Sequence, residues 1–310
     1  LGDVNSLTRE KLWVVVGPTA SGKTALAVDL AEQVNGEIVS ADSVQIYRHF
    51  DIGSGKPDAD ELARVAHHLI GVVEPTEDID ASRFAELADA AIADIVARGK
   101  TPIVCGGTFL WVRALLYGLV KAPPANDAIR EQHARFVEQQ GRAALHALLL
   151  DKDPESHARL NPNDFVRVSR ALEVLELSGA PLSKLQAEHG FRAPRYHFEL
   201  LGIRHTADDL TDRIRRRVQQ MLEDGWEDEV RELLARGFGD TRPMASVGYR
   251  QVALAVRDVT PPSRETLRDE VVKVTRVFAR RQRTWLRDQP VRWLAPGEKL
   301  DVSDASELER

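Results

Sequence analysis

Leu12-Trp-Val-Val-Val16, followed by Gly17-Pro-Thr-Ala-Ser-Gly22-Lys23-Thr24, is the stretch that decides the fold. The first five residues are apolar, rich in valine, and stop at Gly17-Pro18, as a strand buried in a parallel sheet does. From Thr24 onward apolar residues recur at helical spacing through Leu26, Leu30 and Val34. Between strand and helix lies G-x-x-x-x-G-K-[ST]. Its glycines let backbone N–H groups converge on an anion, and the helix N-terminus adds its dipole. Lys23 brings a mobile positive charge to the terminal phosphates, and Thr24 offers a hydroxyl to Mg²⁺. Gly17, Pro18, Thr19, Ala20, Ser21, Gly22, Lys23 and Thr24 are therefore expected to hold a di- or triphosphate, ATP being one such compound. The competing reading is a chance match in a strand-turn-helix, which composition allows in roughly one chain per hundred of this length.

The alternation continues outward. Glu37 to Ser40 reads as a second strand, and Ser82 to Arg98 as a helix with Ser82 at its N-cap and Gly99 past its end. Thr101 to Cys105 is a third buried strand, and Gly106-Gly107-Thr108 turns into a helix from Phe109 to Tyr117. Alternating strands and helices mean an α/β fold with a parallel sheet. Pro123-Pro124 breaks the pattern, and Asp127 to about His189 reads as helix only. There Asn161-Pro162-Asn163-Asp164 starts a long helix that runs through Leu177. Tyr196 to Ile203 returns as a strand, and the text after Thr206 is helical to about Arg287. The expected organisation is an α/β core of 1–120 and 196–310, interrupted by a helical insertion at 121–195. The last ten residues are polar and expected to form a loose tail.

The chain has 310 residues, on the order of two domains' worth. Hydrophobic residues at 43% and charged residues at 29% exclude a disordered chain. The formal charge of −6 speaks, taken whole, against a nucleic-acid binder. That average hides an uneven distribution: Arg264 to Arg287 holds eight basic residues against three acidic ones. Arg276, Arg280, Arg283 and Arg287 share one helix face, which is either a solvated surface or a track for a phosphate backbone. Cys105 is the single cysteine, so one chain builds neither a disulfide nor a multi-cysteine zinc site. No apolar run approaches the ~20 residues that span a bilayer, and no charged-then-apolar leader precedes the first strand. A cytoplasmic protein with no membrane contact is expected. The chain opens on Leu1, and a few residues ahead of it are expected to be missing.

A nucleoside-triphosphate hydrolase carries an acid at the end of a second core strand to hold Mg²⁺. Pro102-Ile-Val-Cys105 ends instead in Gly106-Gly107-Thr108. The acid follows the other strand, in Ser40-Ala-Asp42-Ser43-Val44-Gln45, at the carboxyl edge where open α/β sheets bind ligands. Asp42 there is either a helix N-cap or a general base. Ser43 and Gln45 are suited to bond a base edge or an amine. This placement favours transfer to an acceptor over hydrolysis. His67 and His68 are adjacent, point in different directions, and are not expected to share a metal.

At this point a resemblance becomes specific. G-P-T-A-S-G-K-T (17–24), A-D-S-V-Q-I-Y-R (41–48), D-I-G-S-G-K-P (51–57), H-H-L-I (67–70) and G-G-T (106–108) resemble the bacterial tRNA dimethylallyltransferases. So do, in order, N-D-F-V-R-V-S-R-A-L-E-V (163–174), R-x-x-x-R-x-x-x-M-L (213–222), G-x-x-x-E-V-R-x-L (225–233), V-G-Y-R-Q (247–251) and R-Q-R-T-W-L-R (281–287). The likeness spans about residues 12 to 294.

The resemblance implies a P-loop, nucleotide-kinase-like fold with a helical insertion domain that contacts tRNA. It implies transfer of a dimethylallyl group from dimethylallyl diphosphate to N6 of the adenine next to the anticodon (position 37), with release of pyrophosphate. The tRNAs concerned read codons that begin with U. The phosphate loop would then hold an isoprenoid diphosphate rather than ATP. Asp42 falls at the general base, Thr108 at the reaction centre, and Arg217 at the arginine that, with Lys23 and Mg²⁺, stabilises the leaving group. Read alone, Arg217 is an ordinary solvated charge on an amphipathic helix. The adenine would be flipped out of its stack to meet Asp42, Ser43, Val44, Gln45 and Thr108. Contacts to tRNA are implied at Arg130, at Val166, Arg167, Val168, Ser169 and Arg170, and at Gly248, Tyr249 and Arg250. tRNA would enter a channel from one side and the isoprenoid diphosphate from the other. The family commonly has Gln where Val166 stands, and valine cannot hydrogen-bond. Cys105, Phe109 and Trp111 also depart from the family's usual choices, as packing changes. The partners implied are the tRNA anticodon stem-loop and dimethylallyl diphosphate, and a monomer is expected. Two rivals are a small-molecule P-loop kinase and an adenylate isopentenyltransferase acting on free nucleotide. A small acceptor needs neither the arginine face nor the long insertion. A third, a non-catalytic GTPase-like RNA-binding module, lacks a guanine-selecting motif and leaves Asp42 idle.

Overall fold

The structure is a computed structural model and describes residues 11–191 and 193–301. The strands are β1 (Leu12–Val16), β2 (Gly36–Ser40), β3 (His67–His68), β4 (Thr101–Gly106), β5 (Phe198–Ile203) and β6 (Val291–Leu294). The helices that precede β5 are α1 (Lys23–Val34), α2 (Ala59–Arg64), α3 (Ala81–Ala97), α4 (Phe109–Tyr117), α5 (Asp127–Gln140), α6 (Arg142–Ala147), α7 (Pro154–Arg159), α8 (Phe165–Ser178) and α9 (Leu182–His189). After β5 come α10 (Ala207–Glu223), α11 (Trp226–Ala235), α12 (Tyr249–Arg257) and α13 (Arg264–Leu286).

The six strands pair in parallel, in the order β3-β2-β4-β1-β5-β6. Every residue of β1 is buried, so both faces of the sheet are covered at its centre, as a parallel sheet requires. On one face Trp13, Val15, Ile38, Ile103 and Cys105 pack with Leu26, Ala27, Leu30 and Ala31 of α1. The fold class is thus α/β with a phosphate loop on its central strand. No helix among the described residues is long and apolar enough to cross a membrane.

The described chain divides into two compact units, one holding the residues up to Leu116 and from Arg195 on, the other Tyr117–Pro194. The second unit is helical, with a core of Leu145, Leu149, Val168, Ala171 and Leu172. Its α8 starts at the expected place, where the Asp164 side chain accepts the Arg167 N–H, and stops at left-handed Gly179.

One local expectation is corrected, and two elements are added. The helix read from Ser82 starts one residue earlier, because the Asp80 carboxylate accepts the Arg83 N–H at 2.8 Å and Asp80 is the cap. α2 is a single short helix with no buried residue, opened by a capping box of Asp58 and Glu61, so it leaves no apolar periodicity in the sequence. β6 adds an edge strand beyond the last helix; it is only four residues long and mostly half-buried, so it leaves no apolar run to recognise. The polar tail at 302–310 lies outside the described residues.

Candidate active site

Register brings the functional loops to one edge. Val16 pairs with Gly106, and Ser40 with Cys105, so the loops after β1, β2 and β4 leave side by side. Gly106 makes this approach possible: a Cβ there would lie 2.2 Å from the Ala41 carbonyl oxygen. The Ala41 N–H donates to Cys105 O at 2.8 Å, and the Thr108 N–H to Ala41 O at 3.2 Å. Asp42 and Thr108 therefore sit at adjoining strand ends. Thr108 Oγ1 accepts the Ser43 N–H at 3.0 Å and bonds the Ser43 hydroxyl at 3.2 Å.

Asp42 shows the capping role expected of it. Its Oδ1 accepts the N–H groups of Val44 at 2.9 Å and Gln45 at 3.2 Å, which is the capping role. Its Oδ2 takes no hydrogen bond among the described residues. The carboxylate is half-buried and lines a cavity of about 350 Å³ together with Thr19, Lys23, Thr24, Ser43, Thr108 and Arg217. Ile214, Val218, Met221, Val271 and Phe278 supply the apolar part of the lining. A second cavity, of about 610 Å³, shares Ala20, Lys23, Thr24, Arg217 and Met221 with the first. Of the 17–24 loop, Thr19, Ala20, Lys23 and Thr24 line the central cavity, whereas Gly17, Pro18, Ser21 and Gly22 do not.

Electrostatically the site is a pair of cations around one carboxylate. Burial draws the Lys23 ammonium below its ordinary pKa, with Arg217 acting the same way and Asp42 opposing. Burial likewise lowers Arg217, again opposed by Asp42. Cys105, behind Lys23, is pushed up to about 12 by burial, so its thiol stays neutral and lends no charge. Two desolvated cations against one anion leave an excess positive charge that an anionic ligand would neutralise.

Several supports of this site escaped the sequence reading. Arg213 Nε donates to the Ala20 carbonyl at 2.7 Å, holding the loop where Ala20 takes a φ of 62°. His205 Nε2 bonds Ser21 O at 2.9 Å. Gln282 accepts the Thr19 N–H and donates to Gly107 O, each at 2.9 Å. Glu229 holds the 51–53 backbone, accepting the N–H groups of Asp51 at 2.9 Å, Ile52 at 2.6 Å and Gly53 at 3.4 Å. Gly53 must be glycine, since a Cβ would lie 1.9 Å from Trp226 Nε1. The segment so held offers Ser54 O and Gly55 O to Arg217 Nη2, each at 3.5 Å. The signal for Gln282 and Glu229 was present, since both lie in quoted motifs. The loop backbone groups they hold are 175 residues or more away, which no local pattern reveals.

Other expected residues stand differently. Gln45 lines the cavity, but its Nε2 donates to Gly55 O at 2.8 Å and its Oε1 accepts the Ser40 hydroxyl at 3.1 Å, so its amide ties β2 to the 53–55 segment. Tyr249 is buried rather than presented to a partner: its hydroxyl donates to Glu229 Oε1 at 2.6 Å, and burial raises its pKa far above the usual phenol. Gly248 is also buried, while Arg250 is exposed and Val44 half-buried.

Within the helical unit, Val168 and Ser169 are buried, and Ser169 Oγ bonds His133 Nδ1 at 2.9 Å. Val166 is 75% exposed and Arg167 exposed, with its guanidinium on Asp164 at 2.8 Å. Arg130 and Arg170 converge on fully buried Glu173 at 3.0 and 2.6 Å, and the Asn126 N–H joins them at 2.6 Å. Burial alone would raise the Glu173 carboxyl, but those donors outweigh it and hold it below the ordinary range. His68, in β3, bonds Glu37 at 2.7 Å, and His67 faces Val65 O at 2.8 Å.

Comparison with known proteins covers nearly all of this architecture. The family model described as IPP transferase matches residues 45–289. A tRNA dimethylallyltransferase of Sorangium cellulosum is 58% identical over 92% of this chain and 90% of its own. One of Myxococcus xanthus is 46% identical over 91% of each chain. Among solved structures, a tRNA isopentenylpyrophosphate transferase of Bacillus halodurans superposes with a TM-score of 0.67 at 36% identity, covering 97% of this chain and 94% of that one. A eukaryotic dimethylallyltransferase acting on tRNA superposes with a TM-score of 0.78 at 23% identity, over 96% of this chain and 78% of that one, and shares the fold. A family model that matches most of the chain, and relatives this similar along nine-tenths of it, leave one conclusion: the chain belongs to the IPP transferase family.

Proposed function

We propose that the central cavity transfers a dimethylallyl group from dimethylallyl diphosphate to N6 of an adenine in tRNA. The observation that carries this is Asp42 Oδ2, free of hydrogen bonds among the described residues, sharing a cavity with the desolvated cations Lys23 and Arg217. An exocyclic amine is a weak nucleophile, because its lone pair is delocalised into the ring. As the N6–carbon bond forms and the carbon–oxygen bond to diphosphate breaks, the N6 proton passes to Asp42 Oδ2. Pyrophosphate leaves with the bonding electrons, and Lys23, Arg217 and the loop N–H groups stabilise its growing charge. Thr108, fixed on Ser43, bounds the reacting centre beside Asp42. The two cavities that share Lys23, Thr24 and Arg217 support separate entry of the two substrates.

Magnesium belongs to this reading. No group of three His, Cys, Asp or Glu able to cage a metal occurs among the described residues, and Mg²⁺ commonly takes only one or two protein oxygens alongside phosphate oxygens and water. Thr24, on the cavity, would hold it with the diphosphate, where the ion would neutralise leaving-group charge.

The exposed face of α13 supports tRNA as the acceptor. Arg280, Arg283 and Arg287 line a cavity of about 490 Å³ with Arg204, His205 and Pro18 of the phosphate loop. Such a basic surface suits the phosphate backbone of the anticodon stem-loop. The helical unit would add contacts through Val166 and Arg167, and through Arg130 and Arg170 if RNA phosphates displace their hold on Glu173. The reading takes a monomer as the acting form, working in the cytoplasm. Adenine position 37 and tRNAs reading U-initial codons are what the family resemblance of the sequence motifs implies. Incubation with dimethylallyl diphosphate, Mg²⁺ and unmodified tRNA should yield isopentenyladenosine in digested tRNA. Modified free adenine nucleotide with unmodified tRNA, or phosphate release from ATP alone, would overturn the reading.

A further inference from the structure

Gln282, on the buried face of α13, is bonded to both halves of the site. Its Oε1 accepts the N–H of Thr19 in the phosphate loop, and its Nε2 donates to the carbonyl of Gly107, beside Thr108, both at 2.9 Å. The side chain is 6% exposed and lines the central cavity. It sits hard against the backbone, since a Cβ on Gly107 would lie 2.6 Å from Nε2. The same helix is anchored one turn on, where Trp285 stacks on Phe109 at 4.4 Å with planes 2° apart. One planar amide therefore spans the loop proposed to hold the leaving diphosphate and the loop that carries Thr108 next to Asp42.

We propose that Gln282 is a positioning residue for the transfer, setting the spacing between the diphosphate loop and the acceptor loop. The inference rests on the transferase reading above. Displacement at carbon needs the incoming nitrogen and the departing oxygen in line, and a misplacement of about 1 Å costs on the order of 100-fold in rate. The polarity of the bridge is specific. Thr19 presents a donor and Gly107 an acceptor, so the bridging group must accept at one end and donate at the other. A carboxamide does this, and so does a protonated carboxyl; an ionised carboxylate does not.

The test is steady-state transfer from dimethylallyl diphosphate to tRNA between about pH 5.5 and 8.5, with wild type, Gln282→Met and Gln282→Glu. Gln282→Met keeps the length and loses both bonds; kcat should fall roughly 50- to 100-fold while each KM stays within about threefold. Gln282→Glu should be comparably slow at the alkaline end, where its carboxylate opposes the Gly107 carbonyl. Its rate relative to wild type should recover at least about tenfold at the acid end, where the protonated carboxyl restores the bridge. Lys23, Asp42 and Arg217 face the same cavity and are kept in all three proteins, so any pH dependence that Gln282→Met shares with wild type is not Gln282's, and the extra dependence of Gln282→Glu arises from the introduced carboxyl. A ratio that stays flat across pH, or Gln282→Met turning over within threefold of wild type, would overturn the proposal. If Gln282→Met fails to fold, the ratio for Gln282→Glu decides. An inactive wild type overturns the transferase reading and this proposal together. An active wild type indifferent to Gln282 overturns this proposal alone.

Discussion

Removing the Glu229 carboxylate should loosen the site from beneath, and the structure sets the size of the effect. Glu229 accepts four hydrogen bonds: from Tyr249 Oη at 2.6 Å, from the N–H groups of Ile52 and Asp51 at 2.6 and 2.9 Å, and a long one from Gly53 at 3.4 Å. Tyr249 is fully buried, so in Glu229→Ala its hydroxyl loses its partner where water cannot replace it, at a cost of about 1–3 kcal/mol. The Asp51 to Gly53 backbone is half-buried or exposed, and water recovers part of those bonds, leaving about 0.5–1 kcal/mol for each of the two short ones. The total is about 2–5 kcal/mol, or about 4–10 °C in Tm at the low-shift end suited to a chain this long. Glu229→Gln is much milder. Its carbonyl oxygen still accepts from Asp51 and Ile52, and its amide donates to the tyrosine oxygen, reversing that bond. The loss of charge assistance is worth about 1 kcal/mol. Because the 51–55 segment supplies Ser54 O and Gly55 O to Arg217, Glu229→Ala should also raise KM for dimethylallyl diphosphate by roughly tenfold, and Glu229→Gln by less than threefold. Thermal unfolding and diphosphate-saturation kinetics of the two variants read both effects. Equal Tm losses in the two variants, or a loss under 2 °C in Glu229→Ala, would refute the bond-by-bond reasoning.

Asp42→Asn preserves the capping oxygen but not the base, so kcat should fall by roughly 10²- to 10⁴-fold with tRNA binding nearly unchanged; a kcat within threefold of wild type removes Asp42 as the base. Replacing Arg280, Arg283 and Arg287 by Gln should weaken tRNA binding and reduce the slope of log K against log salt by about one per arginine that contacts phosphate, measured by filter binding over a salt series. An unchanged slope would place the RNA elsewhere. Glu37 is held below the ordinary carboxylate range by hydrogen bonds from Arg98, against the opposing effect of burial, with Lys100 and His68 assisting. A depressed folded-state pKa stabilises the fold above the unfolded value of about 4.3 and loses that stability as pH falls below it. The urea midpoint should therefore drop steeply below about pH 4.3 in wild type and less steeply in Glu37→Gln.

What was legible in the sequence was what is local. A contiguous apolar strand, a phosphate loop and a helix with 3.6-residue spacing need no distant partner to be recognised, and β1, α1, β4 and α8 lie where the pattern puts them. The two-residue β3 and the half-buried β6 carry no such pattern, because edge strands gain pairing without a two-sided apolar run. The site divides the same way. Lys23, Thr24, Asp42 and Thr108 follow strands directly, and the parallel register delivers all of them to one edge. Tyr249 shows the limit of reading by residue type. Beside Arg250 and Gln251 it looks like a nucleic-acid contact, yet its ring packs on Phe50 at 4.8 Å and on Trp226 at 5.5 Å.

The two kinds of residue also divide the labour of the site. The groups proposed to touch the reactants come mainly from the loops of the sheet, whereas the groups that hold those loops come from helices after β5. Arg213 fixes Ala20, Gln282 fixes Thr19 and Gly107, and Glu229 fixes the 51–53 backbone. Arg217 belongs to both sets: it stands one turn after Arg213 on α10 and faces Asp42 across the cavity. The whole-chain charge of −6 is misleading for the same reason. α13 turns one face inward, with Gln282 between the two loops, while Arg280, Arg283 and Arg287 line the basic cavity beside the phosphate loop. On the proposed reading, an RNA phosphate seated on those arginines would bear on the helix whose Gln282 bonds both loops, so nucleic-acid binding and donor alignment would act through one helix.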